Sequence, residues 1–286
     1  MQFVDRALAR RFESAEEMPQ VHHAHADQRM RPHIGSAVEP IAGGHMIFAG
    51  LGSPIGRAVG MGFDRPVTEA DFEELENFYY SRKAPSQLDY CPLTDISLLE
   101  IARKRGYGIV ELNNVLARKL DPSETFPPGP VGFTIRPGKS EEALAFSSIV
   151  RQSFFPDGGE SAGFDEMMAP LFAFPGAITF VAEANEGEAA SAENGKLVAT
   201  GAGLIIPEHR IVALFGAGTL KPYRGHGLQT AILQRRLEVA VRAGCEYAVI
   251  VTQGGTTSMR NAERLGFTLA YSKATLIKDP PPVLAR

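Results

Sequence analysis

The chain has 286 residues, 44% of them hydrophobic and 22% charged, with a formal net charge of −4. That size predicts one large globular domain or two smaller ones. The weak negative charge, without any Lys/Arg run, points away from a nucleic-acid partner, and no apolar run reaches the roughly 18 residues of a membrane span.

Cys91 and Cys245 are the only cysteines. They match neither a disulfide framework nor a zinc-ligand spacing. The N-terminus, MQFVDRALARRFESAEEM, lacks an apolar secretory core, so the expected location is a reducing cytoplasm. HHAHAD follows, with His22, His23 and His25. Its spacing does not put three ligands on one helix face, so a solvated helix or loop is expected there and no metal.

Further along, an apolar strand ends at Gly60-Met61-Gly62-Phe63. The next stretch, FDRPVTEADFEELENFYYSRK (63–83), reads as a helix whose apolar face carries Phe72, Leu75 and Tyr79. Thr68 can cap it with its hydroxyl, and Glu69 and Asp71 fill its first turn. ARKRGYGIVELNNVLARKL, from Ala102, reads as a helix end, a glycine turn at Gly106 and a strand. The segment 120–132, LDPSETFPPGPVG, carries four prolines and two glycines. It can continue neither a helix nor a central strand, so residues 121–132 are expected to link two domains, 1–120 and 133–286.

The second half alternates in a different rhythm. Strand FTIRP precedes helix EEALAFSSIVRQSF and a helical stretch around FDEMMAPLFAF. Strands ITFVAEA and LVATGAGLII flank NEGEAASAENGK (185–196), which reads as a long exposed hairpin loop. Strand IVALFGAGTL leads through KPYRGHG into the helix LQTAILQRRLEVA. Strand EYAVIVTQ, helix SMRNAERLG and strand FTLAYSKATLIK complete the chain. Several antiparallel strands before one strand–helix–strand unit predict a mixed sheet in an α+β layer arrangement.

The two halves share a pattern. Gly60 and Gly62 stand before Pro66 as Gly216 and Gly218 stand before Pro222, with a helix after each. ARKRGYGIVELNNVLARKL parallels AERLGFTLAYSKATLIK, with Gly106 matching Gly266, Tyr107 matching Phe267 and Leu116 matching Leu276. This is the signature of an internal repeat, two copies of one fold in tandem.

The chemistry concentrates at Arg224-Gly225-His226-Gly227-Leu228-Gln229, between a strand and a helix. Glycines before a helix let backbone N–H groups converge without side chains in the way. First-turn N–H groups have no partner inside the helix, and with the helix dipole they suit a phosphate. Lys221, Arg224 and His226 add positive charge. The GxxxxGK[ST] of a P-loop and the GxGxxG of a dinucleotide fold are both absent.

On these residues the sequence resembles the GNAT superfamily of acyl-CoA-dependent N-acetyltransferases. The family loop is Arg/Gln-x-x-Gly-x-Gly/Ala; Arg224 and Gly227 fit it, and Gln229 departs from it, which is expected to narrow the phosphate pocket. SMRNAERLGF resembles the family's second CoA-side segment. The resemblance runs from Phe133 to Lys278 and reaches the first half only through the repeat. It implies two tandem GNAT-like domains, each a mixed, mostly antiparallel sheet flanked by helices. It also implies that backbone N–H groups from Arg224 or Gly225 through His226, Gly227, Leu228 and Gln229 hold the pyrophosphate of acetyl-CoA. Ala217, Gly218, Thr219 and Leu220 would pair with the pantetheine arm, with an N–H near Thr219 or Leu220 on the thioester carbonyl. Ser258 and Asn261 would line the cofactor's other side, although helix capping and a plain solvent-facing polar role are an equal reading for both.

Acyl transfer to a primary amine needs a neutral amine, a stabilised oxyanion and a thiolate that leaves. Many family members carry a Glu on the strand before the loop and a Tyr four residues before the turn glycine. Here that strand has no carboxylate, and the second position is Ala262. Tyr271 and Glu183 are the remaining candidates for acid and base, set against strand packing for the first and a solvent-facing position for the second; a water-relayed base, or proximity with no dedicated base, is the other reading. The first copy, with RPVTEADF in place of RGHGLQ, is expected to have lost the cofactor. The overall expectation is an acetyl-CoA-dependent N-acetyltransferase, monomer or homodimer. The alternatives are a non-catalytic acyl-CoA-binding or sensory protein and a nucleotide-binding protein using the same loop.

Overall fold

The computed structural model describes residues 3–155, 164, 168–185 and 195–282. Residues 186–194 of the expected hairpin loop and 165–167 of the expected helical stretch lie outside the described residues. In chain order the elements are α1 (Arg6–Met30), β1 (Ala37–Ile41), β2 (Gly44–Phe48), α2 (Glu69–Tyr80), β3 (Ser86–Tyr90), α3 (Ser97–Lys104) and β4 (Gly108–Lys119), then β5 (Phe133–Pro137), α4 (Ala143–Phe154), β6 (Ala177–Ala184), β7 (Leu197–Ile206), β8 (Ile211–Thr219), α5 (Leu228–Arg242), β9 (Tyr247–Thr252), α6 (Thr257–Arg264) and β10 (Thr268–Lys278).

These elements form two compact units. The first comprises Met1–Leu116, Val251–Met259 and Thr268–Arg286; the second comprises Ala117–Ile250 and Arg260–Phe267. The sequence suggests contiguous domains, 1–120 and 133–286, but the units are interleaved, and the last strand belongs to the first. The cause is burial. β10 pairs antiparallel with β3, Ala274 opposite Tyr90 and Lys278 opposite Ser86. It also places Ala274 and Leu276 in a core with Met46, Phe72, Leu75, Leu88 and Leu98. Residues two apart on a strand share a face, so this one face of β10 is committed to the first unit.

The second unit is a sheet in the order β9-β8-β7-β6-β5. Its pairings are antiparallel except β8 with β9, which is parallel. α4 packs on β8 and β7, and α5 on β7, β6 and β8. Phe133, Phe180, Ala182, Val198, Tyr223, Leu228 and Ile232 form its core. The mixed, largely antiparallel sheet with flanking helices is the α+β arrangement the element pattern predicts.

The repeat is visible in local geometry. α3 and α6 are both eight residues long. Each ends in the same left-handed glycine cap: Tyr107 N–H donates to Ala102 and Gly106 N–H to Arg103, as Phe267 N–H donates to Ala262 and Gly266 N–H to Glu263. The strand expected before Gly60 is reduced to Ala58 and Val59. Val59 bridges β2 antiparallel and Ala58 bridges β3 parallel. β8 has the same neighbours, β7 antiparallel and β9 parallel.

The histidines fall on α1. His22 and His23 are not both solvated as expected: His23 is buried and stands 3.4 Å from Asp27. Among the described residues no cluster of His, Cys, Asp and Glu could hold a metal ion, and no helix is long and apolar enough to cross a membrane.

Candidate active site

β8 is the spine of the site. It pairs with β9 only over Ile211–Ala213, opposite Tyr247–Val249. From Leu214 to Thr219 its other neighbour, β7, continues alone, so among the described residues no strand pairs with that edge of β8, and it is open in this sense. Between the pairs Ala202↔Phe215 and Thr200↔Gly218, β7 has one residue, Gly201, and β8 has two, Gly216 and Ala217. This is a two-against-one β-bulge, and its first residue, Gly216, has a positive φ (59°), the left-handed form that glycine allows.

At the strand's end Leu220 N–H donates to Val198 O, 3.0 Å. Leu220 therefore cannot be the thioester donor that the resemblance allowed. N–H groups alternate sides along a strand, so the Thr219 N–H faces the open edge.

A single 3-10 turn, Lys221–Tyr223, carries the chain into the loop. Tyr223 is buried, its ring edge-on to Phe133 with centroids 6.4 Å apart. Arg224 spends one N–H, Nε, on Thr219 O at 3.2 Å. His226 rests Nδ1 3.2 Å from Tyr223 O and its ring against Phe133. Gly225 and Gly227 have φ of 86° and 75°, and a Cβ on either would meet nothing within 4 Å. The glycines answer to backbone conformation, and the space before them is open.

Gly227 is the N-cap of α5. The helix has no side-chain cap and no acid in its first turn. Among the described residues its opening N–H groups thus have no side-chain cap, which is what an anion at this end requires. The counterpart helix in the first unit is the reverse case. Thr68 caps α2 in a complete capping box with Asp71, and Glu69 and Asp71 occupy the first turn. Arg65 grips Asp71 with two bonds, 2.8 and 2.6 Å. The Arg65 pair and the Thr68 bonds hold the Asp71 carboxyl down at about 2. That N-terminus is filled by its own side chains, as the sequence indicates.

Gln229 does not crowd the loop. Its side chain turns back to the strand ends, and Nε2 faces Gly218 O (2.6 Å), Thr219 Oγ1 (2.9 Å) and Thr200 O (3.1 Å). The expected narrowing of the phosphate space is corrected on that ground. Ser258 is exposed and Asn261 half-buried in α6. The capping role goes to neither, because Thr256 Oγ1 accepts from Met259 N–H at 3.2 Å, and the exposure of Ser258 keeps its solvent-facing reading open.

The two acid–base candidates are engaged elsewhere. Glu183 ion-pairs with Arg136 at 2.8 Å, and Arg136 is also bound to Glu142. Tyr271 lies inside the first unit and donates to Glu13 at 2.7 Å. Burial and the neighbouring Glu13 raise that phenol well above its usual range. The same interior holds Lys273, 2.9 Å from Asp89 and 3.3 Å from Glu13, with Arg57 on the far oxygen of Asp89. Nothing in the sequence pattern joins these distant residues. Arg236 is also unforeseen: a fully buried cation on the inner face of α5, donating to Ala202 O at 2.6 Å.

Comparison with known proteins fits this geometry. Residues 148–267 match the model of the Acetyltransferase (GNAT) family. This segment is a GNAT domain. A search of curated proteins returns no match. Among solved structures the chain is similar to a GCN5-related N-acetyltransferase from Kribbella flavida, at 17% identity and a TM-score of 0.61, covering 92% of this chain and 97% of that one. It is also similar to a tandem GNAT protein from the clavulanic acid biosynthesis pathway, at 13% identity and a TM-score of 0.63, covering 92% and 88%. At these identities the likeness establishes the fold, a tandem GNAT fold. The matched segment ends at Phe267, the residue at which the second unit also ends.

Proposed function

We propose that this GNAT domain transfers an acetyl group from acetyl-CoA directly to a primary amine, and that the chain holds one cofactor. The observation that carries this reading is the uncapped start of α5, behind two open glycines and beside the free edge of β8. The N–H groups from Gly225 to Gln229 hold the pyrophosphate, with Lys221 and Arg224 as counter-charges. Ala217 to Thr219 pair with the pantetheine arm, and Ser258 and Asn261 flank the cofactor.

In the reaction the neutral amine attacks the thioester carbonyl, and the negative charge that develops on its oxygen is met by the Thr219 N–H. Collapse releases the CoA thiolate, and the ammonium nitrogen loses a proton to solvent. Tyr271 and Glu183, each committed to another residue, take no part in this scheme. Holding amine and thioester together supplies much of the rate in the absence of a dedicated base.

Calorimetry with acetyl-CoA, followed by thiol release across a panel of primary amines, tests the proposal. One equivalent bound and amine-dependent thiol release are expected. The absence of a carboxylate on β8 favours the second reading, an acyl-CoA-binding protein, which predicts binding without thiol release. Two equivalents per chain overturn the assignment of a blank first copy.

A further inference from the structure

Gln229 stands where the family loop has a small residue, and its side chain has work that a small residue cannot do. Its amide nitrogen faces two backbone carbonyls and one hydroxyl. A flipped amide would set its own oxygen against those carbonyls, so the nitrogen is the atom that belongs there. The shortest bond, 2.6 Å, goes to Gly218 O. That carbonyl and the Thr219 N–H are the two ends of one rigid, planar peptide unit. A donor fixed on the carbonyl therefore fixes the direction of the N–H. It also polarises the unit, making the N–H a stronger donor.

A second side chain supports the other flank of the bulge. Arg236 is seven residues on from Gln229, two turns along the same helix face. Its Nη1 donates to Ala202 O at 2.6 Å and to Phe215 O at 3.3 Å. Gln229 thus holds the Thr200/Gly218 pair and Arg236 the Ala202/Phe215 pair, the two that bracket the bulge. Gly201 makes the approach feasible, since a Cβ there would come within 2.6 Å of Ile232 and 2.9 Å of Arg236. Burial without a counter-anion pushes the guanidinium down to about 9, so it is still a cation at neutral pH.

We propose that Gln229 is a positioning residue for acyl transfer: it holds the Gly218–Thr219 peptide so that the Thr219 N–H faces the thioester carbonyl, with Arg236 bracing the far side of the bulge. This rests on the proposed acetyl transfer. The side chain acts on the peptide and not on the pyrophosphate, so its loss separates turnover from binding.

The test uses the full chain as wild type, Q229M and R236K. Q229M keeps the side-chain length and removes the donor; R236K keeps the charge and loses the fork. With acetyl-CoA and the best amine of the panel, kcat is expected to fall about 10- to 100-fold in Q229M, with acetyl-CoA affinity changed less than about threefold. R236K is expected to lower kcat by a smaller factor. In samples labelled with 15N-leucine, the Leu220 amide, which is bonded to Val198 O next to the Gly218–Thr219 peptide, is expected to exchange with solvent at least about tenfold faster in Q229M. Unchanged kcat in Q229M, or a loss that falls wholly on acetyl-CoA affinity, overturns the proposal. If wild type binds acetyl-CoA and releases no thiol, acetyl transfer fails on its own account. The amide exchange then decides for Gln229: faster exchange retains the clamp, and unchanged exchange refutes it.

Discussion

Replacing Thr230 by Glu would write the first copy's chemistry into the second. Thr230 is the third residue of α5, after the Gly227 cap, the position that Asp71 holds in α2. A carboxylate there favours the helix, by about 0.3–1 kcal/mol from the dipole. The same carboxylate repels a pyrophosphate seated on the N–H groups of that turn. At roughly 6 Å, two unit charges interact by ~0.7 kcal/mol at the dielectric of water and about four times that at an effective value of 20. Two phosphate charges set a lower figure of about 1.4 kcal/mol, a tenfold loss of affinity. Thr230→Glu is therefore expected to raise Tm slightly and to weaken acetyl-CoA binding at least about tenfold, less so at high salt. Differential scanning fluorimetry and calorimetry on one preparation read both. An unchanged Kd with a raised Tm would refute the placement of the pyrophosphate on α5.

Gly227→Ala adds a Cβ at φ 75° with nothing for it to strike, so its cost of about 1–2 kcal/mol is conformational; a lowered Tm and weaker acetyl-CoA binding are expected together. Thr68→Ala removes the α2 cap and should cost about 1 kcal/mol in chemical denaturation, with acetyl-CoA stoichiometry and affinity unchanged. The Asp71 carboxyl is held below its unfolded value, at about 2. Its stabilisation is therefore full above about pH 4 and lost as pH falls through about 2, and Asp71→Asn should flatten the acid limb of the stability curve over that window. Glu13 has the opposite sign: burial raises its carboxyl, so its charging opposes folding as pH rises past the unfolded value. Glu13→Gln should be more stable relative to wild type at pH 8 than at pH 4, by urea denaturation at both.

The parts of this molecule that were legible in the sequence are those written in short spans. The glycine caps after α3 and α6, the Thr68 cap and the bare start of α5 each lie within a few residues, and each keeps the form its residues imply. Contacts that join distant residues were not legible. Tyr271 follows a turn, and the sequence leaves open whether it reaches a thiol or packs in a strand; it packs, and its partner Glu13 lies far off in the chain. Glu183 ends a strand and meets Arg136 on the neighbouring one. Gln229 read as a misfit because the motif describes a backbone and says nothing of where a longer side chain goes. Arg236 could have been flagged, since it interrupts the apolar run Ala231, Ile232, Leu233, Leu237, all buried on α5.

The last strand changes what the repeat means. A duplicated fold read from sequence suggests two bodies that a cut at residues 121–132 would separate. β10 follows the GNAT domain in the chain but completes the first unit, burying Ala274 and Leu276 beside Leu88, and its Lys273 neutralises Asp89 there. A chain ending at Phe267 would retain every residue of the family match and leave Asp89 without that partner. Removing one member of a buried ion pair costs several kcal/mol beyond the lost apolar contacts. The first unit thus depends on a strand that follows the GNAT domain in the chain, and a cut at residues 121–132 would take that strand away from it.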